Sequence, residues 1–229
     1  LARRVFDQLA DARADVALTL AGAGDPMLHP HWLDIAREAR EAGIAAIHLR
    51  TDLTAPDAQI LRLIADAASE TGVIDAISVD LMAATRESYA AIMGADWFDR
   101  VTANVQRLLA SRRPRAATGG IPTPWIIPRL TRADAVLGQI EAFYDHWLAQ
   151  CGHCVIDPLP RAMPGERLEP LPLPASAAWR RARSGLSILA DGSVPYDLDD
   201  LVGVSIAGSC ATEPVREIWR RIHRARVDA

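Results

Sequence analysis

A regular alternation of apolar, strand-like segments with amphipathic helical segments limits what this chain can fold into more than any other feature. Strands are predicted at residues 16–20, 45–50, 73–79, 124–128 and 154–156. Helices are predicted at residues 31–42, 56–70, 85–93, 97–111 and 134–149. Because helical sequence separates each strand from the next, the strands should be parallel and joined by right-handed crossovers. The sequence therefore predicts an α/β fold built on a parallel sheet.

The charge of the chain argues against a nucleic-acid or membrane partner. The 229 residues carry a formal net charge of −4, and the 25 basic residues are scattered along the sequence. All of them are Arg, so chemistry that depends on a lysine amine is excluded on this chain. No apolar run approaches the length of a membrane span, and no signal peptide is recognisable. We expect a cytoplasmic protein with a small-molecule or peptide substrate.

Prolines divide the chain into a body and a tail. Six prolines fall between residues 158 and 174, too many for regular secondary structure. We therefore predict an α/β body at residues 1–157, a proline-rich linker at 158–178 and a tail at 179–229. The first residues of the body already follow a helical pattern, which predicts a further strand upstream of Leu1.

The tail is predicted to contain a hairpin and a closing helix. An Asp-Gly pair at residues 191–192 lies between the apolar segments 186–189 and 193–196, which is a strong turn signal. A helix is predicted over about residues 212–226, with Thr212 as its N-cap. Its buried stripe is predicted to consist of Val215, Ile218, Trp219 and Ile222.

The segment at residues 16–30 combines a strand end with a glycine-rich turn. Gly22 and Gly24 permit backbone conformations that are closed to other residues, and they let a ligand approach the main chain. Asp25 follows them where a parallel strand gives way to its helix, the edge at which α/β proteins place their sites. A tight turn with a solvated Asp is the alternative interpretation of this segment.

Motifs in the body and the tail follow one order along the chain. Residues 22–30 read Gly-Ala-Gly-Asp-Pro-Met-Leu-His-Pro, residues 51–53 read Thr-Asp-Leu, and residues 78–80 read Ser-Val-Asp, with Tyr89 further on. The other segments are 101–105 in a predicted helix, and 186–194 and 215–219 in the tail. In this order they resemble the radical S-adenosylmethionine (SAM) enzymes of the SPASM type. In that family, strands two to four end in Gly-Gly-Glu-Pro, Thr-Asn-Gly and Ser-x-Asp.

The resemblance implies a fold and a cofactor site. The fold would be a partial (β/α)6 TIM-like barrel, its first strand missing from this chain, followed by a small hairpin-plus-helix appendage. In the family, the glycine loop and its acid hold the amino group of SAM, and residues at the next strand ends face its ribose and carboxylate. By position, the resemblance assigns SAM binding to Gly22, Ala23, Gly24, Asp25, Pro26, Thr51 and Ser78. Asp25 is one methylene shorter than the usual Glu.

Radical SAM chemistry also requires a [4Fe-4S] cluster, usually held by three thiolates spaced Cys-x3-Cys-x2-Cys. No such motif occurs in these 229 residues, so the cluster ligands are expected upstream of Leu1. SPASM tails bind auxiliary clusters through cysteines near the hairpin. Here the corresponding segments 178–180 and 195–197 contain no Cys, and Cys210 alone cannot hold a cluster. The tail is therefore predicted to lack auxiliary clusters.

Two functions follow from the resemblance and stay open. With a cluster upstream, the chain would be the SAM-binding part of an enzyme that forms a 5′-deoxyadenosyl radical and abstracts hydrogen from its substrate. Without one, it would be a degenerate homologue that serves as a binding or interaction module. A third alternative is an unrelated α/β enzyme that binds a phosphorylated ligand at its strand ends. The resemblance assigns no catalytic residue to this chain, and its substrate stays open.

The remaining polar clusters are interpreted as structural, and no metal site is predicted on this chain. Cys151 and Cys154 have the spacing of a thiolate pair, but without a second pair we expect buried structural cysteines. His29 and His31 are expected to cap and solvate a helix start. We expect an exposed loop at Arg112, Arg113 and Arg115, a solvated acidic turn at Asp197, Asp199 and Asp200, and core positions for Trp125 and Trp219.

Overall fold

Five parallel strands form the central sheet of the computed structural model, which describes residues 1–11, 16–115, 119–132, 134–158, 185–198 and 200–227. The described strands are β1 (Ala17–Leu20), β2 (Ala46–Thr51), β3 (Ala76–Asp80), β4 (Arg113–Pro114), β5 (Pro122–Thr123), β6 (Trp125–Arg132), β7 (Val155–Pro158), β8 (Ser193–Pro195) and β9 (Ile206–Ser209). The central sheet has the order β1-β2-β3-β6-β7, and each neighbouring pair is parallel. This arrangement confirms the predicted α/β fold, a partial barrel of the TIM type.

The helices lie between the strands as the alternation predicts. The described helices are α1 (Ala2–Asp11), α2 (Trp32–Glu41), α3 (Asp57–Ala67), α4 (Arg86–Met93), α5 (Phe98–Ser111), α6 (Ile140–Cys151) and α7 (Val215–Val227), with 3-10 helices at Pro26–Leu28 and Asp134–Gln139. Strand β6 is longer than predicted and continues through Pro128 to Arg132. Pro128 lacks a backbone N–H for the sheet. Because pairing with β7 begins only at Arg129, the next residue, Pro128 can disturb pairing with β3 but not with β7.

The two faces of the sheet differ in polarity because side chains alternate along each strand. On β2, Ile47 and Leu49 are fully buried in the main hydrophobic core, which also contains Ile77 and Val79 of β3. The intervening positions of the same strands carry polar side chains on the opposite face. The helices cover the apolar face, and the polar face is the interior of the partial barrel.

The tail packs against α1 through a second hydrophobic core. Val5 of α1 lies in one cluster with residues of β8, β9 and α7, namely Val194, Ala207, Cys210, Val215, Ile218 and Ile222. Trp219 is only half-buried and stacks on His223. Polar contacts support this packing, since Arg4 donates to the carbonyl oxygen of Ala211 at 2.6 Å. The tail is thus attached to the first helix of the body.

The predicted hairpin in the tail is wrong in its pairing. β8 pairs with the distant β9 in an antiparallel ladder, and residues 186–189 form no strand. The turn at 191–192 does form, because the Asp191 carboxylate accepts hydrogen bonds from the backbone N–H and the hydroxyl of Ser193. A local turn signal fixes the bend but does not decide which segment supplies the next strand. The proposed division into body, linker and tail stays a prediction, since residues 159–178 lie outside the described part of the chain.

The helix α7 starts later than predicted and is not capped by Thr212. Its first residue is Val215, whose backbone N–H donates to Gln8 Oε1 of α1 at 2.8 Å. The Thr212 hydroxyl instead donates to the carbonyl oxygen of Ser209 at 3.4 Å. A side chain from another helix therefore satisfies a backbone donor that a local N-cap normally satisfies.

Replacing Gln8 with Ala tests this cap. We expect the free energy of unfolding to fall by about 1 kcal/mol, the usual cost of losing an N-cap side chain. Urea unfolding followed by circular dichroism measures the change, and Arg3→Ala, on the exposed face of the same helix, is the matched control. A Gln8→Ala protein as stable as the control would contradict the capping role.

Three further expectations about individual residues are wrong. Arg115 is buried, with 4% of its surface exposed, because it reaches into the body from the β4–β5 connection. Trp125 is half-exposed rather than in the core, and its ring lies 5.5 Å from that of His153. Asp200 is 8% exposed and accepts backbone hydrogen bonds from Val204 and Ser205, so it holds a turn together. Of the other residues named with these, Arg113 is exposed as expected, and Asp199 lies outside the described residues.

Among the described residues, no helix is both long and apolar enough to cross a bilayer.

Candidate functional site

The glycine-rich segment after β1 forms an exposed loop at the carboxyl edge of the sheet. Residues 21–24 are exposed, and Pro26 begins a 3-10 helix that leads towards α2. Among the described residues, no hydrogen bond engages the backbone of Gly22, Ala23 or Gly24. A Cβ at Gly24 would meet no atom within 4 Å, so open space lies beside it. The loop therefore offers backbone groups that a ligand can use.

Asp25 fixes the end of this loop to the end of β2. One carboxylate oxygen, Oδ1, accepts the backbone N–H of Met27 at 2.8 Å and so caps the 3-10 helix. The other, Oδ2, accepts the Thr51 hydroxyl at 2.6 Å and the backbone N–H of Asp52 at 3.1 Å. Three donors thus hold a half-buried carboxylate beside the exposed backbone of the loop.

The electrostatics of Asp25 are unusual for a carboxylate. Burial, together with the neighbouring Asp52, raises the pKa of Asp25 to about 6, although the hydrogen bonds from Thr51 and Met27 act in the opposite direction. Among the described residues, no Arg or His lies within ion-pair distance of either Asp25 or Asp52. A cationic or N–H-bearing ligand would stabilise the ionised form of Asp25, because it would supply the positive partner that the described protein groups do not.

Thr51 lies in the same cluster but is not exposed to a ligand. It is 2% exposed, and its hydroxyl donates to Asp25 while it accepts the backbone N–H of Leu53 at 3.0 Å. Its neighbour Asp52 accepts hydrogen bonds from the backbone N–H and the hydroxyl of Thr54. The predicted residues 22–26 and Thr51 thus come together at one place, where Thr51 acts by orienting Asp25.

Ser78 lies apart from this cluster, on the barrel-facing side of β3. It is 1% exposed, and its hydroxyl oxygen is 2.7 Å from His48 Nε2. The other ring nitrogen of His48, Nδ1, is 3.3 Å from the hydroxyl of Thr19 on β1. A polar row therefore crosses three strands of the sheet interior, and Ser78 is one of its members.

A charged network continues this row across the barrel interior. Arg50 Nε donates to Asp80 Oδ2 at 2.7 Å, and Arg129 on β6 lies between Asp80 and Asp157. Arg129 also donates to Ser78 Oγ at 3.4 Å. Apart from Ser78, these residues were not predicted as a site. The signal that could have found them is the polar pair at alternate positions of β2, His48 and Arg50, and of β3, Ser78 and Asp80.

His48 is predicted to stay neutral in the folded protein. Burial first, then the charges of Arg129 and Arg50, lower the pKa of His48 to about 4. An unfolded chain takes up this proton near pH 6.5, so the stability contributed by neutral His48 is complete above that pH and is lost as the pH falls towards 4. Ring-proton NMR between pH 3.5 and 8 measures the titration, and a midpoint near 6.5 in the folded protein would contradict the burial argument.

Cys151 and Cys154 are partly exposed, so the expectation that both are buried cysteines is wrong. Burial raises the pKa of the Cys151 thiol to about 11 and raises that of Cys154, which disfavours the thiolate that metals require. Cys210 is buried in the tail core. Within the described residues, no three side chains of His, Cys, Asp or Glu are grouped so that they could hold a metal ion. His29 Nδ1 accepts the backbone N–H of His31, a local contact at the start of α2.

The sequence matches a known family over most of the body. Residues 2–134, more than half of the chain, match the radical SAM superfamily. The chain belongs to the radical SAM superfamily. The family's cofactors are SAM and a [4Fe-4S] cluster, the two that the motifs predicted.

Solved structures share the fold of this radical SAM chain at low sequence identity. Native anSMEcpe with bound AdoMet and Kp18Cys peptide aligns with a TM-score of 0.60 and 10% identity, over 97% of this chain and 72% of that chain. Hexahistidine-tagged anSMEcpe with bound AdoMet gives a TM-score of 0.58 at 10% identity, over the same shares of the two chains. These likenesses show the fold alone. No curated protein matches the sequence.

Proposed function

We propose that this chain is a radical SAM-type enzyme domain that binds SAM at the carboxyl ends of its strands. The observation that supports the proposal is that an exposed glycine loop lies beside the Asp25 carboxylate, which three donors hold in place. The backbone of residues 22–24 forms no hydrogen bond with the described part of the chain. The loop lies within the residues that match the family. The proposed SAM-binding residues of the loop are Gly22, Ala23, Gly24, Asp25 and Pro26.

The hydrogen-bond acceptors at this loop fit the amino group of SAM. Backbone carbonyls and a carboxylate accept hydrogen bonds from N–H groups. A hydrogen bond from a cationic ligand to a half-buried carboxylate is stronger when that carboxylate has no cationic partner in the protein. Thr51 is proposed to keep Asp25 in this orientation, since its hydroxyl contacts with Asp25, Met27 and Leu53 all lie within the protein. Ser78, which is 1% exposed and lies apart from this cluster, is proposed to act indirectly as well, through its contacts with His48 and Arg129 on the barrel side of the sheet.

The cysteines that the structure describes do not fit the iron–sulfur cluster, and we propose that its ligands lie outside this chain. The thiols of Cys151 and Cys154 have raised pKa values, and Cys210 is enclosed in the tail core. When bound, SAM and the cluster together supply a carbon radical that abstracts hydrogen from a substrate. The role of this chain is to hold SAM and to keep water from the barrel interior.

We propose that the substrate is a peptide or a small molecule that enters at the same edge of the sheet. We also propose that the protein is cytoplasmic. A peptide is favoured by the fold shared with anSMEcpe, one structure of which contains the Kp18Cys peptide. The tail is proposed to be a SPASM-like appendage without clusters, held on α1 by the second hydrophobic core.

The alternative function, a non-catalytic binding scaffold, is favoured by one observation. The Asp25 carboxylate accepts hydrogen bonds from three donors of the protein itself, as a residue that only stabilises a loop would. Such a scaffold would keep the fold without a cluster.

The iron content of the full-length protein separates the two functions. Reconstituted without oxygen, the enzyme should contain about four irons per chain and show a broad absorbance shoulder that bleaches on reduction. Adding SAM should then change the electron paramagnetic resonance spectrum of the reduced cluster. A protein that holds no iron after reconstitution would contradict the enzyme and leave the scaffold.

A further inference from the structure

Most of the partly or fully buried Asp residues that the structure describes lie close to an Arg, although Asp200 binds backbone N–H groups instead. Asp66, Asp75, Asp80 and Asp157 each lie within 4.0 Å of a guanidinium nitrogen. Asp25 and Asp52 are half-buried as well, yet in the part of the chain that the structure describes no cationic side chain lies within that distance of either. The candidate site thus contains two carboxylates in a chain rich in Arg, and neither has a guanidinium partner.

The two carboxylates are linked through one backbone group. The N–H of Asp52 donates to Asp25 Oδ2 at 3.1 Å, while the Asp52 carboxylate accepts both the N–H and the hydroxyl of Thr54, at 2.9 and 2.7 Å. Burial favours the neutral form of a carboxyl group, and the neighbouring Asp52 favours a proton on Asp25 as well. One of the two groups therefore tends to keep a proton.

We propose that Asp25 and Asp52 form a proton-holding carboxylate pair that releases its proton when the amino group of SAM binds. This inference rests on the proposed function and deepens it, because it assigns a role to Asp52 and a proton to the binding step. It also accounts for Asp at a position where the family motif has Asn.

The balance of the step involves one proton and no electrons. Below about pH 6, before binding, the pair carries one proton and a charge of −1, with the proton on Asp25. On binding, the O–H bond of Asp25 breaks, the proton passes to solvent, and the freed carboxylate accepts an N–H of the ligand. The pair then has a charge of −2, and the ligand supplies the cationic partner that the protein does not.

The titration of the pair supports this assignment. Burial and Asp52 raise the pKa of Asp25 to about 6, close to the pH at which SAM binding can be measured. For Asp52, burial raises the pKa, but hydrogen bonds with Asp25 and Thr54 outweigh it, so the pKa of Asp52 is lowered. The proton is therefore held by Asp25, the residue nearer the glycine loop.

Other titratable groups lie on the described elements around the pair, and among them Asp52 alters the pKa of Tyr89. Burial, then the charge of Asp52, raises the pKa of Tyr89 on α4 to about 12, so its buried hydroxyl stays neutral. Other charged or titratable side chains on the loop, strand and helices around the pair include His29, His31, Asp34, His48, Arg50, Asp57, Arg86, Glu87, Asp96, Asp99 and Arg100. Arg50 is bound to Asp80, and Arg100 to Asp57 and the carbonyl of Ala55.

Isothermal titration calorimetry measures the released protons directly. The full-length, cluster-reconstituted protein is titrated with SAM, without reductant, at pH 5.5 and 7.0 in two buffers of different ionisation enthalpy. We expect about 0.7 more proton released at pH 5.5 than at pH 7.0, for an Asp25 pKa of about 6. The α-amino group of SAM, with an ordinary pKa near 7.8, is almost fully protonated at pH 5.5 and largely protonated at pH 7.0, so its own contribution to the difference is only about 0.1 proton.

Variants locate the proton on the pair. In Asp52→Asn, SAM should still bind, and the difference in proton release between the two pH values should fall below half that of the wild type. Asp145→Asn, an exposed carboxylate on α6, is the matched control and should keep the wild-type difference. Equal proton release at both pH values in the wild type, or an unchanged difference in Asp52→Asn, would overturn the inference while SAM binding itself stands. No binding at either pH would instead overturn the proposed function, and this inference with it.

Discussion

Asp25→Asn should weaken SAM binding about 100-fold at pH 7.5, because it removes the only carboxylate proposed to accept the ligand's amino group. Removing one partner of a desolvated charged hydrogen bond typically costs about 2 kcal/mol or more, and about 2.7 kcal/mol corresponds to a factor of about 100 in affinity. Asn has nearly the same size and retains one acceptor oxygen for Met27 or Thr51. Equilibrium binding of SAM to the full-length reconstituted protein measures the change.

Two further variants make this prediction specific. Asp25→Glu restores the acid that the family motif carries and should keep SAM affinity within about tenfold of the wild type. Asp145→Asn changes an exposed carboxylate far from the loop and should bind SAM as the wild type does. If Asp25→Asn bound SAM with wild-type affinity, the glycine loop would not be the amino-group site, and Asp25 would be a structural residue only.

Arg115→Met should lower the free energy of unfolding by about 3 to 5 kcal/mol, the usual cost of leaving a buried charge without its partner. Arg115 donates to the carbonyl oxygens of Ile74 and Asp66, at 2.7 and 3.1 Å, and its guanidinium lies 3.8 Å from the Asp66 carboxylate. That carboxylate also accepts the backbone N–H groups of Val73 and Ile74. Without Arg115 it would remain buried and charged beside the start of β3.

Urea unfolding of the variant, compared with the wild type, measures this cost. Arg113→Met is the matched control, since Arg113 lies two residues away and is exposed; its effect should stay within about 0.5 kcal/mol. Adding Asp66→Asn to Arg115→Met should recover part of the loss, because the double variant no longer buries an unpaired carboxylate. An Arg115→Met protein as stable as the Arg113→Met control would show that the ion pair contributes nothing.

Local sequence patterns predicted the sheet and the position of the loop. Strand periodicity, helix periodicity and the order of elements fix a parallel sheet, and glycines after the first strand fix where an exposed loop lies. The same patterns placed Gly22, Gly24 and Asp25 at the carboxyl edge, next to Thr51. These features depend on residues close together in sequence, so a single chain carries the information.

The missed features depend on contacts between residues distant in sequence. The partner of β8 is β9, and the cap of α7 is Gln8, more than 200 residues earlier. Arg115 lies within a stretch rich in Arg, Pro and Gly, a composition that favours an exposed loop, but its side chain hydrogen-bonds to buried backbone groups of the body. Pairings of this kind become visible only when the strands and helices are packed.

The interior network was missed for a different reason. His48 and Arg129, unlike Ser78, were not predicted as site residues. Each alternates with buried apolar residues on its strand, which is also the pattern of a strand with one solvated face. Closure of the sheet into a partial barrel turns that face inward. A polar residue there is then held by its neighbours rather than by water, and the sequence alone does not distinguish the two cases.

The central claim is that the loop at residues 22–26 holds SAM by its amino group. The most direct test is a crystal structure of the full-length, cluster-reconstituted protein with SAM, determined without oxygen. We predict the amino nitrogen of SAM within hydrogen-bond distance of the Asp25 carboxylate and of a backbone carbonyl of residues 22–24. SAM bound elsewhere on the sheet, with this loop open to solvent, would contradict the account.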